Sequence, residues 1–402
     1  MSKSKKEEYH LAKIKVVGVG GAGGNAISRM FSDFPRSVEL IAINTDVQDL
    51  NSCSARKKIH IGKNATRGLG TGMNPDLGRQ SAEESRSEIS EELKGADMVF
   101  ITAGEGGGTG TGAAPVVAEI AKELGILTVA IVTKPFAFEG AQRSRIAQEG
   151  LTKLRDYVDT LIVIPNDRIF SLIDKDTSLL KAFEAIDEVL KNAVQGITEL
   201  IMTPGVVNVD FADVKTIMEG AGSAIIGIGK ASGADRSVMA AQMAINSPLL
   251  EIPIDGAKGV LFIISGHRDL KMNEINEVAK IISENIDPSA KIIFGTFFDR
   301  RLAKGQIKVT LLATGFNGNL DKNTNILPSL FTPIAGRFLP ETGEPSPFYA
   351  SLHHEEKKHD EPKIDIKKKD KDKKKEEKDE KEGKKKLEEV WDIPAFLRKR
   401  KR

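Results

Sequence analysis

The chain has 402 residues, room for two or three domains of ~100–200 residues each and long enough to bury a core without disulfide or metal staples. One cysteine, Cys53, rules out an intramolecular disulfide and a multi-cysteine metal cage, and fits a reducing compartment. The net charge of +2 hides an asymmetry: residues 355–386 hold 15 lysines against 12 acids and residues 388–402 hold 5 basic against 3 acidic side chains, leaving about −3 for the remainder, which excludes a nucleic-acid-coating surface there.

Residues 1–10 are charged rather than apolar, and no apolar run approaches the roughly 20 residues that span a bilayer, so neither secretion nor membrane insertion is expected. Residues 14–174 alternate β-branched runs with helical stretches, and strands are predicted at 14–19, 40–43, 98–102, 127–132 and 160–164. Apolar at nearly every position, these suit a parallel sheet covered on both faces by helices. A helix is predicted over 113–124, with Pro115 in its first turn and Gly125 just past its end. Over 178–202 apolar residues recur in steps of three and four, giving one amphipathic helix of about 25 residues and roughly 37 Å, stopped by Pro204 and Gly205. It reads as a spine between two lobes.

The second lobe, about 210–316, carries predicted helices near 213–218, 236–246 and 273–285 and strands at 260–264, 292–296 and 307–313. Beyond 317 polar and breaker residues lead into a charge block with almost nothing to bury, predicted to be a disordered linker. The end differs: Val390, Trp391, Ile393, Pro394, Phe396 and Leu397 form an apolar cluster followed by five basic residues, a docking motif in shape. The expected organisation is therefore an N-terminal extension (1–10), a nucleotide domain (11–177), a central helix (178–203), a smaller α/β domain (204–316), a linker (317–387) and a partner-binding peptide (388–402).

Two glycine loops carry the chemistry. After the first strand, Gly18, Gly20 and Gly23 satisfy the GxGxxG fingerprint of dinucleotide sites, which leaves a nicotinamide-dependent oxidoreductase open, as well as a plain strand-to-helix turn. The second loop, 103–112, holds glycine at 104, 106, 107, 108, 110 and 112. So many bare N–H groups running into a helix start make a phosphate cradle, whereas an ordinary turn needs one or two glycines. A P-loop is excluded, because the lysines that follow glycine, Lys63, Lys230 and Lys384, precede Asn, Ala and Lys rather than Ser or Thr.

The run 106–112, GGGTGTG, resembles the signature of the tubulin and FtsZ superfamily, and the likeness covers about residues 11–317 and returns at 392–397. It implies a tubulin-like GTPase with a Rossmann-type parallel sheet, binding GTP or GDP with Mg2+ held mainly through the phosphates and no protein metal site. By the resemblance Gly21, Ala22, Gly23, Gly24 and Asn25 with Gly108, Thr109 and Gly110 hold phosphates, and Gly70, Thr71 and Gly72 face the terminal one. Asn44 and Asp46 stand where the family approaches phosphate and magnesium, although a strand-end Asx turn explains them as well. Glu139 and Arg143 occupy the ribose position, with a solvated helix-start pair as the plainer reading. Asn166, Phe183 and Asp187 fall at the base. Asp187 would accept from N1–H and N2–H₂ of guanine while Phe183 stacks, unless Phe183 is simply core. Glu105 stands where relatives of the resembled family often carry an uncharged side chain, and an acid beside a phosphate loop weakens binding unless it points outward or meets a cation.

Asn208, Asp210 and Asp213 match the family's synergy-loop motif, with the two acids as the expected catalytic groups and a helix N-cap at Asp210 as the alternative. From Asp187 to Thr203 is roughly 24 Å of helix, so these acids should serve the nucleotide of a second, stacked subunit. The implied role is a self-assembling GTPase of a bacterial cytoplasm that scaffolds the midcell division ring, with adaptor and membrane-tethering proteins docking at 388–402, indirect membrane contact and no nucleic acid. A nucleotide-gated polymer without turnover remains the structural alternative.

Overall fold

The computed structural model describes residues 12–316 except 172, 174, 175, 204, 206, 208, 251 and 300; the predicted linker and docking peptide lie outside the described residues. The first half runs β1 (Ile14–Val19), α1 (Gly20–Met30), β2 (Glu39–Asn44), α2 (Val47–Ser52), β3 (Lys57–His60), α3 (Pro75–Glu84), α4 (Arg86–Leu93), β4 (Met98–Gly104), α5 (Thr109–Glu123), β5 (Leu127–Lys134), α6 (Ala141–Arg155) and β6 (Thr160–Pro165). The central helix α7 (Leu179–Met202) and α8 (Phe211–Met218) follow, then β7 (Gly222–Ser232), α9 (Arg236–Ile245), β8 (Gly259–Gly266), α10 (Met272–Glu284), β9 (Lys291–Phe298) and β10 (Gln306–Thr314).

The large parallel-sheet domain and the smaller C-terminal α/β domain are joined in one ten-stranded sheet in the order β3-β2-β1-β4-β5-β6-β7-β10-β8-β9. The first six strands are all parallel, as continuous apolar runs require. The seam is short: β6 meets β7 in parallel through Thr160–Gly222, Leu161–Ser223 and Ile162–Ala224. Beyond it β7 and β8 both pair antiparallel to β10.

The apolar stripe of α7 explains its place. Ile186, Leu190, Ala193, Val194 and Ile197 are buried in one core with Ile27 and Met30 of α1, Val214 and Met218 of α8, and residues of both halves of the sheet such as Val16, Ile162 and Leu261. Ser178 starts the helix by accepting from the Lys181 N–H at 3.4 Å. Helices α3–α6 bury the opposite face of the first half, and α9 and α10 that of the second. Among the described residues no helix is long and apolar enough to cross a membrane.

Helix α5 corrects the sequence expectation. It begins at Thr109, four residues before the predicted start, so Pro115 sits inside the helix and not in its first turn. Gly110 and Gly112 are thereby helical, and the glycine loop supplies the helix start itself.

Candidate functional site

The two glycine turns meet at the carboxyl ends of β1 and β4. Gly20 opens α1 at φ +73°, and a Cβ there would lie 2.9 Å from the Gly110 nitrogen, so glycine is required both by backbone conformation and by the close approach. Neither helix start carries a side-chain cap or an acidic residue in its first turn. The first N–H groups of α1 and α5 are therefore left for an external acceptor, and both dipoles present partial positive charge. Hydroxyls join the backbone groups: Thr109 Oγ1 lies 2.7 Å from Thr45 Oγ1 and 3.2 Å from Thr71 Oγ1, all three side chains buried. That contact brings the 70–72 loop to α5, and Asp46 pairs with Leu69 in an isolated bridge. Ala22 in the first turn of α1, Asn25 in its second and Gly72 in the 70–72 loop are exposed.

Asn44 and Asp46 adopt the local geometry weighed against a ligand role. Asn44 Oδ1 accepts from the N–H groups of Thr45 (2.8 Å) and Asp46 (3.3 Å), and Asp46 caps α2 by accepting from Gln48 and Asp49. Asn44 also donates to Asp49 Oδ2 at 2.7 Å, and a Cβ at Gly21 would stand 3.0 Å from that same oxygen. These oxygens are thus engaged in local turn and cap hydrogen bonds beside the first glycine turn, and no cluster of metal-ligating side chains occurs among the described residues. Asp49 was not singled out from the sequence, where it reads as an ordinary helix residue.

Asn166, Phe183 and Asp187, expected at the base, follow β6. Asn166 is 7% exposed and its Oδ1 has no hydrogen-bond partner among the described residues, a desolvated acceptor of the kind a ligand donor satisfies. Phe183 is 42% exposed at the start of α7 and meets Phe136 edge-on with centroids 5.7 Å apart, so the core reading fails for this ring. Asp187 lies one turn further. Burial pushes its carboxyl up to about 6, against the pull of the Arg29 guanidinium 3.4 Å away and with a small upward push from Glu184. Arg29 sits one turn beyond Asn25 on α1 and ties that helix to α7; no local sequence signal marks it. Glu139 accepts from the Phe136 N–H at 2.9 Å and is ion-paired with Arg143, the helix-start pair of the plainer reading. Glu105 points neither outward nor to a cation: it is buried, turned beneath α6.

The synergy-loop acids stand elsewhere. Asn208 lies outside the described residues. Asp210 and Asp213 are exposed, and Asp210 N-caps α8 by accepting from the Asp213 N–H at 2.8 Å. The far end of α8 is held at strand starts: the Met218 carbonyl accepts from the Thr160 hydroxyl at 2.6 Å. Thr160 is the first residue of β6 and Asn166 follows its last, so six residues of strand, roughly 20 Å at ~3.3 Å each, separate this anchor from the base end of the cradle.

Residues 13–174 match the model of the Tubulin/FtsZ family GTPase domain, and residues 222–317 match the FtsZ family C-terminal domain. A mutant FtsZ from M. jannaschii is 50% identical over 76% of this chain and 91% of its own, with a TM-score of 0.73. An empty FtsZ dimer from M. jannaschii is 49% identical over 77% and 89%, with a TM-score of 0.74. CetZ2 from Haloferax volcanii, solved as a GTPγS-bound protofilament, shares the fold at 24% identity, a TM-score of 0.66 and coverage of 78% and 97%. The half-identical relatives come from an archaeon, whereas the sequence resemblance pointed to a bacterial setting. Matching both domain models, and half identical over the aligned region to a relative of which it covers 91%, the chain belongs to the Tubulin/FtsZ family of GTPases.

Proposed function

We propose that the chain is a GTP-dependent filament protein of the division ring that hydrolyses GTP where one subunit stacks on the next. Gly21, Ala22, Gly23, Gly24, Asn25, Gly108, Thr109 and Gly110 would hold phosphates through uncapped N–H groups, with Gly70, Thr71 and Gly72 over the terminal one. Glu139 and Arg143 would meet the ribose, and Asn166, Phe183 and Asp187 the guanine. Asn44 and Asp46 would approach a magnesium ion carried mainly on the phosphates, which when bound would supply charge neutralisation for phosphoryl transfer.

The single observation that carries the reading is separation. The uncapped helix starts lie at the carboxyl ends of the strands, while α8, which Asp210 caps, is anchored to the amino end of β6. Asp210 and Asp213 then have work only on a neighbour's nucleotide, where a carboxylate orients the attacking water directly or through a cation. A head-to-tail contact of that kind does not close, and it generates a filament. Residues 388–402, on a tether of ~70 residues with a typical reach of roughly 40–50 Å, would dock adaptors that tie the filament to the membrane. A nicotinamide enzyme would use the first glycine turn and leave the second uncapped helix start idle.

The test is complementation. Asp210→Ala should bind GTP but not turn it over, and Gly20→Ala should fail to bind. A mixture of the two should hydrolyse GTP at a rate neither reaches alone; a mixture as inactive as its parts would show that the site is not shared.

A further inference from the structure

Glu105 is the acid the cradle does not use. Its backbone N–H is fixed to the Thr133 carbonyl at 2.9 Å, which extends the β4–β5 pairing by one residue, and the chain then reverses at Gly106, φ +91°. The side chain goes inward and is 5% exposed. Neither carboxyl oxygen has a hydrogen-bond partner among the described residues. Gly150 of α6 closes the space above it, since a Cβ there would fall 2.5 Å from Glu105 Oε2 and 2.2 Å from Thr111 Cγ2. Thr111 in turn accepts from the Gly106 N–H at 2.9 Å, so the packing of the acid and the shape of the phosphate turn share one side chain. Behind this contact lies a crevice of about 30 Å³ between α3, α5 and α6, room for a single water.

We propose that Glu105 is a proton-gated positioning residue: seated beneath α6 as the neutral acid it holds Gly106 and Thr111 in the form that accepts phosphate, and on ionising it leaves that seat and loosens the turn. The proposal rests on the nucleotide reading of the site given above.

A carboxylate without a partner in a buried seat is strongly disfavoured, so the seat selects the neutral form. Burial pushes the Glu105 carboxyl up to about 8, and the nearby Thr111 hydroxyl draws it slightly down without completing a hydrogen bond. The charged groups of the surrounding elements are Lys134 at the end of β5, Arg143, Arg145, Glu149, Lys153 and Arg155 on α6, Asp76, Arg79, Glu83 and Glu84 on α3, and Glu119, Lys122 and Glu123 on α5; none contributes to that shift. Because Glu105 is bonded directly to Gly104 and Gly106, its departure moves the glycine turn itself. The new negative charge would also oppose bound phosphate. Nucleotide binding therefore favours the protonated form, and affinity has an alkaline limb that Glu105 sets.

The experiment measures affinity for Mg-GDP by calorimetry on the full chain, below its assembly concentration, from about pH 7 to about pH 9. The wild type is expected to lose about fivefold between about pH 8 and about pH 9, and about tenfold over the whole range from about pH 7, whereas Glu105→Gln, isosteric with the neutral acid, is expected to change by less than about twofold after correction for titration of guanine itself. Identical profiles in the two proteins would overturn the proposal, while a folded wild type that binds no GDP at about pH 7 would overturn the nucleotide reading instead. Infrared difference spectra of the wild type give a second readout should the variant fail to fold. A buried protonated carboxyl band that bleaches on passing pH 8 supports the proposal, and no such band at pH 7 refutes it.

Discussion

Replacing Asp187 with Asn changes one atom of the group proposed to read the base. The carboxyl is largely buried, lies 3.4 Å from Arg29 and is pushed up to about 6, so at pH 7 it is ionised about ten to one. As a carboxylate it offers two acceptor oxygens to N1–H and N2–H₂ of guanine, and hydrogen bonds to a charged acceptor contribute ~1.5–3 kcal/mol each. Asparagine keeps one acceptor and turns an NH₂ toward a guanine donor, so one bond is lost and a donor is left facing a donor. The expected cost is about 2–4 kcal/mol, roughly 30- to 1,000-fold in GDP affinity, with ADP affinity unchanged within a few-fold. The sign with pH follows: guanine binding needs the ionised form, so wild-type affinity should fall as pH drops through 6, and Asp187→Asn should be flat over the same range. Competition titrations of GDP against ADP at pH 5 and pH 7 decide it. An Asn variant that keeps the wild-type preference for GDP, or a wild type indifferent to pH between those values, would refute the assignment.

Glu105 also predicts a stability profile. Its folded carboxyl, near 8, lies above the ordinary value of 4.5, so the folded chain retains a proton that the unfolded chain releases, and stability falls as pH rises from about 4.5 to about 8. Thermal melts of Glu105→Gln should lose this slope and exceed the wild type by up to a few kcal/mol at pH 8; equal slopes would count against a neutral buried acid. Gly20→Ala places a side chain at φ +73° and 2.9 Å from the Gly110 nitrogen, which should cost about 1–2 kcal/mol of folding stability and, by parting the turns, most GDP affinity. Fluorescent-nucleotide titration with a parallel melt separates the two effects. Asp210→Ala removes the N-cap of α8 and should cost ~1 kcal/mol in a melt, while turnover falls far more than so small a loss explains.

Elements whose cause is local were legible in the sequence. Strand β1 occupies the predicted 14–19, β6 extends its prediction by one residue, and α7 begins one residue after the position its periodicity suggested. Strands β3 and β7 escaped for different reasons. Lys57–His60 is four residues with a lysine pair, too short and polar to show a period. Gly222–Ser232 contains Gly227 and Gly229, which read as breakers; the structure needs them because α9 crosses so close that a Cβ at either would sit 2.0 Å from a carbonyl of that helix. The α5 start was misplaced because glycines were assigned to the loop, although a helix start that binds an anion is where glycine can be helical.

The candidate site divides along the same line. The glycine turns are a sequence signal in themselves, and they meet in space. Arg29 and Asp187 are 158 residues apart, and Thr45 and Thr109 are 64 apart, so their contacts belong to the fold and to no motif. Glu105 was visible as an oddity, but its inward turn depends on Gly150 of α6, which nothing nearby in the chain announces.

The central claim is that a lone subunit holds half of a hydrolytic centre. Phosphate release per molecule, followed on dilution of the full chain with saturating GTP and magnesium, tests it most directly. Negligible release is expected below a threshold concentration, a steep rise above it, and light scattering that rises at the same point. Release per molecule that stays constant on dilution far below that threshold would contradict it.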